Sequence, residues 1–384
     1  MRRLFHSARL RRVDRRDRWA QYRAGSLPCL LRDLLGADLV VLSAAQLSAL
    51  QCPLWSKADI ESGPRHVRFT PKSGHLPRLW KMSHAPSGTF TGERMQTEQL
   101  TWHHDGTTIE LGADWSGQGP LVLLLPAPSS ISTRREMRPL QERLSANYQT
   151  VSIDWPGFGS RPRPRHNWRP EIYSDFLSYL TGTILPPVHA VIAAGHGATF
   201  ALLHACAHPG IFKRLVLIAP TWRGPLPTMM DGQRPLFDRI CQLVDLPIIG
   251  PLLYRLNVNR LVVRYMAAGH VYSDSACLHG ERLREKLAVT CLSGARFSSV
   301  RFVTGKLDPL ATRTEFLDVA QRSPVPMLLV YGTQTPSRSR AEMEALASVP
   351  SIRTAVLPLG KLSVHEEFPD LVAEAIKPFL SDWS

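Results

Sequence analysis

The strongest constraint on the fold is a set of short, almost wholly apolar runs separated by helix-forming segments. Leu121–Leu125 reads Leu-Val-Leu-Leu-Leu, and Val188–Ala193, Leu215–Ala219 and Val325–Val330 are nearly as apolar. Runs this short and this continuous suit strands buried on both faces of a sheet. Thr150–Asp154 and Thr354–Leu357 read as further strands. Helical spacing of apolar residues predicts helices over Met137–Leu144, Glu171–Leu180, Thr199–Ala207, Ala341–Ala347 and Leu371–Leu380. The second of these opens just after Pro170, a residue well suited to a first turn. Strands alternating with helices imply an α/β fold: a mostly parallel central sheet with helices on both faces. Ahead of it, Leu100–His103 and Thr107–Leu111 predict an antiparallel pair turning at Asp105-Gly106.

Residues 222–305 break the alternation. They hold helical stretches, among them Leu252–Met266 and Glu281–Leu287, with no clear strand. An insertion at this point stands above the carboxyl edge of the sheet, where open α/β sheets bind ligands, and it reads as a helical lid. A stripe of Leu246, Ile248, Ile249, Leu252, Leu253 and Leu256 fits either the cover of a greasy pocket or ordinary packing.

The chain has 384 residues, 44% of them hydrophobic, enough for one large domain and additional material. Its longest apolar region, Leu27–Leu50, is interrupted by Arg32, Asp33 and Asp38, so no membrane span is expected. The formal net charge is +14, and residues 1–81, with 16 Lys+Arg against 6 Asp+Glu, account for most of it. Residues 1–94 therefore read as a basic leader, and residues 95–384 as the folded domain. The stretch from Pro53 to His75 resembles translated repetitive intergenic bacterial DNA, which would put the natural start at Met82 or Met95. A real basic leader of this kind would instead favour nucleic acid or an anionic membrane surface. It has no interleaved aromatics of a nucleic-acid motif, and no nucleic-acid partner is expected. The six cysteines include no C-x-x-C pair, and the N-terminus lacks an apolar signal core; both fit a reducing, cytoplasmic setting.

Asp154-Trp155-Pro156-Gly157-Phe158-Gly159-Ser160 resembles the D-x-P-G-F-G-x-S signature that follows the fourth strand of α/β-hydrolases. Other pieces follow in family order: the apolar strand before Pro126, the strand–turn–helix at 188–207, Arg214–Pro220, the lid, and His365-Glu366-Glu367-Phe368-Pro369. The resemblance covers about 285 residues, and is closest to the esterase, lipase and epoxide-hydrolase-like group with an inserted cap. It implies the α/β-hydrolase fold and a catalytic triad.

The triad positions hold unusual residues. The family puts a serine on a strained G-x-S-x-G elbow. Here the segment is Ala194-Gly195-His196-Gly197-Ala198-Thr199, with Gly195 in the nucleophile slot, or Gly197 in a register two residues later. Neither forms an acyl-enzyme. His196 and Thr199 are the substitutes at hand, and a turn kept for packing is the plain reading. In the oxyanion loop, Pro126-Ala127-Pro128 replaces His-Gly-x, so Pro128 stands at a donor position without an N–H. The acid slot after Gly332 holds Gln334. Anchoring on Glu367 and Pro369 puts Leu362 at the base position, and a small loop shift would bring in His365. Asp308 is a displaced acid or, more simply, a turn or helix-start residue. His103-His104 point to opposite faces of a strand and do not chelate together. His204 and His208, spaced i, i+4 with no Glu between them, are expected to pack on the sheet.

The expectation is an α/β-hydrolase-fold protein with a degenerate triad and little or no hydrolase activity. It would bind a small hydrophobic molecule or a protein partner in a pocket lined by Ala127, Pro128, Gly195, Gly197, Thr199 and Trp222, with no cofactor and no metal. The alternatives are an ester hydrolase that uses His196 or His365 as base, and a leader-mediated nucleic-acid or membrane-surface binder.

Overall fold

The computed structural model describes residues 95–382, so the readings made for the basic leader lie outside the described residues. The described part is built on one eight-stranded sheet. Its strands are β1 (Gln96–His104), β2 (Thr107–Ser116), β3 (Leu121–Leu125), β4 (Gln149–Ile153), β5 (Val188–Ala194), β6 (Phe212–Ile218), β7 (Met327–Gly332) and β8 (Ile352–Leu357). They are arranged in the order β1-β2-β4-β3-β5-β6-β7-β8. β1 and β2 run antiparallel, as do β2 and β4, and every later pairing is parallel. Every residue of β3, β5 and β7 is buried, as the continuous apolar runs require of strands covered on both faces.

The helices of the framework are α1 (Arg138–Leu144), α2 (Pro170–Tyr179) and α3 (His196–Ala207) before the insertion. The insertion supplies α4 (Pro225–Met229), α5 (Pro235–Asp245), α6 (Ile249–Asn257), α7 (Arg260–Met266), α8 (Gly280–Thr290) and α9 (Ala295–Val303). After it come α10 (Arg313–Gln321), α11 (Ser337–Ala347), α12 (Val364–Glu367) and α13 (Pro369–Ser381). Local chemistry sets several starts. Proline stands in the first turn of α1, α2, α4, α5 and α13, and Asn259 and Thr312 cap α7 and α10 through their side chains. No helix among the described residues is long and apolar enough to cross a membrane.

Several expectations change, among them the stretch Leu252–Met266, which is divided between α6 and α7, and the helix expected from Ala341, which begins at Ser337. The helix expected from Thr199 begins at His196, because the bend falls at Gly195. The stripe expected to cover a pocket or pack inward faces out instead: Ile248 is 84% exposed and Leu252 61%, with Leu246, Ile249 and Leu256 also exposed. Only Leu253 of that set packs against a buried cluster, that of Cys241, Val244 and Val300.

A buried charge network ties the sheet to the loop after β4. The Arg134 guanidinium meets Asp114 Oδ1 of β2 at 3.0 Å and Asp154 Oδ2 at 2.6 Å. The Arg134 backbone N–H donates to Asp154 Oδ1 at 2.7 Å. Room for this depends on two glycines. A Cβ at Gly112 would stand 2.2 Å from Arg134, and one at Gly159, where φ is 81°, would stand 2.1 Å from Asp154. Burial works against the Arg134 charge, but Asp154 and Asp114 prevail and hold its pKa above the usual arginine value.

Replacing Arg134 with Met should strand two buried carboxylates and cost about 3–5 kcal/mol, measured by denaturant unfolding at pH 7. A second expectation concerns His204, whose imidazole is pushed down to about 4, first by burial and then by the neighbouring His208. The folded state thus favours neutral His204, so this contribution is complete above the unfolded value of about 6.5 and declines as pH falls toward 4. The thermal midpoint should fall between pH 7 and pH 5, and His204→Gln should make that fall shallower.

Candidate functional site

The bend between β5 and α3 is the geometric centre of the site. Gly195 has φ 52° and ψ −126°, a region that non-glycine residues occupy only under strain. Its N–H donates to Ile218 O at 2.9 Å, and its carbonyl accepts from Thr221 N at 3.1 Å. Gly195 therefore occupies the elbow, and Gly197, inside α3, does not. A Cβ at Gly195 would stand 2.9 Å from the Ala127 methyl, and one at Gly197 would stand 2.8 Å from Pro126 O.

The loop after β3 closes around the elbow. Trp155 Nε1 donates to Pro126 O at 2.6 Å. The Ala127 N–H, beside the elbow, donates to Glu136 Oε1 at 3.0 Å, and the next residue, Pro128, has no N–H to offer. Neither Ala127 nor Pro128 thus presents an uncommitted backbone donor to an oxyanion.

His196, the first residue of α3, is buried against Phe200 and Phe302. Its Nε2 lies 3.3 Å from Asp308 Oδ1. Asp308 also receives the Gly224 N–H at 2.9 and 3.0 Å, so it anchors the entry to the insertion as well as facing His196. Thr199 is committed elsewhere, with its hydroxyl donating to Thr221 O at 3.0 Å. Trp222 turns toward Phe316 and donates from Nε1 to Glu342 at 3.0 Å. It lines a small recess with Arg223, Thr228 and Ser339, and Ala127, Pro128 and Gly195 are not among that recess's lining.

The position after β7 does structural work. Gln334 Oε1 accepts from the Gly360 N–H at 3.2 Å, joining the loops that follow β7 and β8. His365 lies on α12, buried, with Nε2 3.6 Å from Glu136 Oε1. The carboxylate nearest His365 is thus Glu136, which comes from the 3-10 turn Arg134–Met137. The sequence reading missed Glu136 because it belongs to none of the motif positions.

Next to this pair lies a second buried ionic group. Lys286 of α8 reaches Glu366 at 3.1 Å and Glu136 at 4.0 Å, and Tyr272 donates to Glu366 at 2.5 Å. Burial disfavours the Lys286 charge, yet Glu366, Tyr272 and Glu136 together hold its pKa above the ordinary lysine value. Burial likewise opposes the Glu366 charge, and Lys286 and Tyr272 outweigh it, keeping the carboxyl below its usual range. Three bonds to backbone carbonyls tie the same region to the insertion: the backbone N–H groups of Leu362 and Ser363 donate to His270 O and Val271 O, and the Lys361 ammonium donates to Ala268 O. Glu367 accepts the backbone N–H groups of Ser273 and Asp274 at 2.8 and 2.7 Å.

A larger recess, of about 220 Å³, lies within the insertion and is lined by Leu261, Arg264, Tyr265, Ala268, Tyr272 and Leu278. Neither recess has Gly195, His196 or His365 in its lining. His204 and His208 each take a hydroxyl partner, Thr181 at 2.9 Å and Ser178 at 3.3 Å.

Comparison with known proteins places these observations in a family. Residues 122–375 match the model of the alpha/beta hydrolase family. The chain is 24% identical to the 2-(acetamidomethylene)succinate hydrolase of Mesorhizobium japonicum over 286 residues, 71% of this chain and 92% of that protein. Its fold resembles that of a thermophilic esterase from Thermogutta terrifontis, with a TM-score of 0.57 and 19% identity over 74% of this chain and 98% of the esterase. It also resembles the Cif epoxide hydrolase of Acinetobacter nosocomialis, with a TM-score of 0.56 and 14% identity over 74% of this chain and 89% of the other. With the eight-stranded sheet and the helical insertion between β6 and β7, the match to residues 122–375, well over half of its length, means that this chain belongs to the alpha/beta hydrolase family.

Proposed function

We propose that this protein is a binding member of its family, with a degenerate triad and no acyl-enzyme chemistry. One observation carries the reading: the bend residue is Gly195, which has no side chain, and a Cβ there would stand 2.9 Å from the Ala127 methyl, closer than side chains pack. Gln334 in the acid position, Pro128 in the oxyanion loop and the Ala127 N–H already bonded to Glu136 support it. Triad members act as a unit, so loss of the nucleophile removes most of the rate that the others provide. The insertion acts as a lid whose role has become reception. Its recess of about 220 Å³ is smaller than the roughly 300–1,000 Å³ of drug-sized pockets, and its lining of Leu261, Tyr265, Ala268 and Leu278 favours a small hydrophobic molecule. The outward Ile248, Leu252, Leu256 and Leu261 give the same insertion a face for a protein partner.

A fluorophosphonate probe should label no residue of the folded protein, as read by intact mass. Gly195→Ser alone should also stay unlabelled and lose stability, because its Cβ meets Ala127. Adding Ala127→Gly should recover the stability. Labelling of the natural chain would overturn the reading.

One observation favours a second reading. The buried His365–Glu136 pair, beside the loop that closes on the elbow, is the arrangement needed for an imidazole that takes a proton from water and is steadied by a carboxylate. On this reading the protein hydrolyses an ester without a covalent intermediate, and His196 with Asp308 is the other imidazole–carboxylate pair. Turnover of a short-chain ester panel should then fall at least about 100-fold in His365→Ala. Equal turnover in the natural protein, His365→Ala and His196→Ala would exclude both histidines.

A further inference from the structure

The first hairpin turns at Asp105 and Gly106, both with positive φ, 46° and 70°. The turn sets the end of β1 against the segment that leads into α2. One ligand atom from each of His104, Asp105 and His166 lies within 4.8 Å of the other two. His104 Nδ1 and Asp105 Oδ2 are 3.6 Å apart. Tetrahedral donors about 2.0–2.1 Å from a zinc ion stand about 3.4 Å from one another, so this pair is already near the needed spacing.

The two imidazoles share one pattern. His104 Nε2 is held by Asp175 Oδ2 at 3.1 Å, and His166 Nδ1 by Thr107 Oγ1 at 3.2 Å. The remaining nitrogens, His104 Nδ1 and His166 Nε2, are shielded from solvent and have no hydrogen-bond partner. A proton on His104 Nε2 toward Asp175, and one on His166 Nδ1 toward Thr107, leaves a lone pair on each remaining nitrogen. Metal-ligating histidines are characteristically oriented in this way, with the second nitrogen donating to a carboxylate or another oxygen. Burial, then the neighbouring His104, lower the His166 pKa, which favours the neutral ligand form at pH 7.

We propose that His104, Asp105 and His166 form a binding site for a divalent metal ion of the zinc class, with an open fourth position for water. Two imidazoles and a carboxylate suit zinc and its neighbours better than the hard, all-oxygen cations. Bound there, the ion clasps the hairpin tip to the segment before α2. Arg169 is the built-in competitor, with its guanidinium 3.3 Å from Asp105 Oδ2. The sequence reading dismissed His103-His104 as a chelating pair. The pair that meets here is His104 with His166, brought together by the fold.

Isothermal titration of the full chain with Zn²⁺ at pH 7, with Co²⁺ absorption as a second readout, tests the proposal. The expected result is one site, weakened at least tenfold in His104→Ala, in His166→Ala and in Asp105→Asn, and tightened in Arg169→Ala. Asp105 is 54% exposed, so Asp105→Asn places little burden on folding and keeps the test decisive if a histidine variant fails to fold. No binding up to millimolar Zn²⁺, or equal affinity in the natural chain and Asp105→Asn, would overturn it.

Discussion

The buried Arg134 guanidinium is the interaction on which the rest depends. It bridges Asp114 on β2 and Asp154 just after β4, and its own backbone N–H binds Asp154 as well. Each of these charges would be costly in the interior without the others. Two residues along the same 3-10 turn stands Glu136, which receives the Ala127 N–H and faces His365 and Lys286. One short turn therefore links the sheet, the signature loop and the centre of the candidate site.

The elbow shows how much of this architecture is carried by the backbone alone. The bend is held by backbone bonds from Gly195 to Ile218 and Thr221, none of which needs a serine hydroxyl. Glycine relieves the strain of the positive φ, and the Ala127 methyl takes up space beside it. The two small residues fit each other, which makes the elbow well packed rather than damaged. Fold and activity are separable in this sense, because activity resides in a few side chains grafted on a scaffold that stands without them.

Much of this architecture was legible in the sequence because it rests on local signals. The apolar runs of β3, β5 and β7 announced buried strands, and Asp154–Ser160 fixed the position in the fold. The helices were legible too, although α3 and α11 start three and four residues earlier than their apolar spacing announced. What escaped was non-local. Glu136 belongs to no motif, and its position beside His365 depends on Arg134 holding a turn in place. Asp308 was weighed as a displaced acid, but its meeting with His196 across the whole insertion was not legible, and His166 meets His104 only because the loop before α2 returns to the hairpin tip. The outward stripe on the insertion was misread because helical periodicity states that a face is apolar, not what lies against it.

The contacts between residues 361–367 and the end of α7 onward bear on motion. Lys361, Leu362 and Ser363 bind the carbonyls of Ala268, His270 and Val271, while Glu367 holds Ser273 and Asp274. These bonds act as a seam between the histidine-bearing loop and the insertion. Swinging that part of the insertion away as a rigid cover would drag His365 with it or tear the seam first. The loop that bears His365 and residues 268–274 are therefore coupled: neither moves without carrying the other or breaking these bonds.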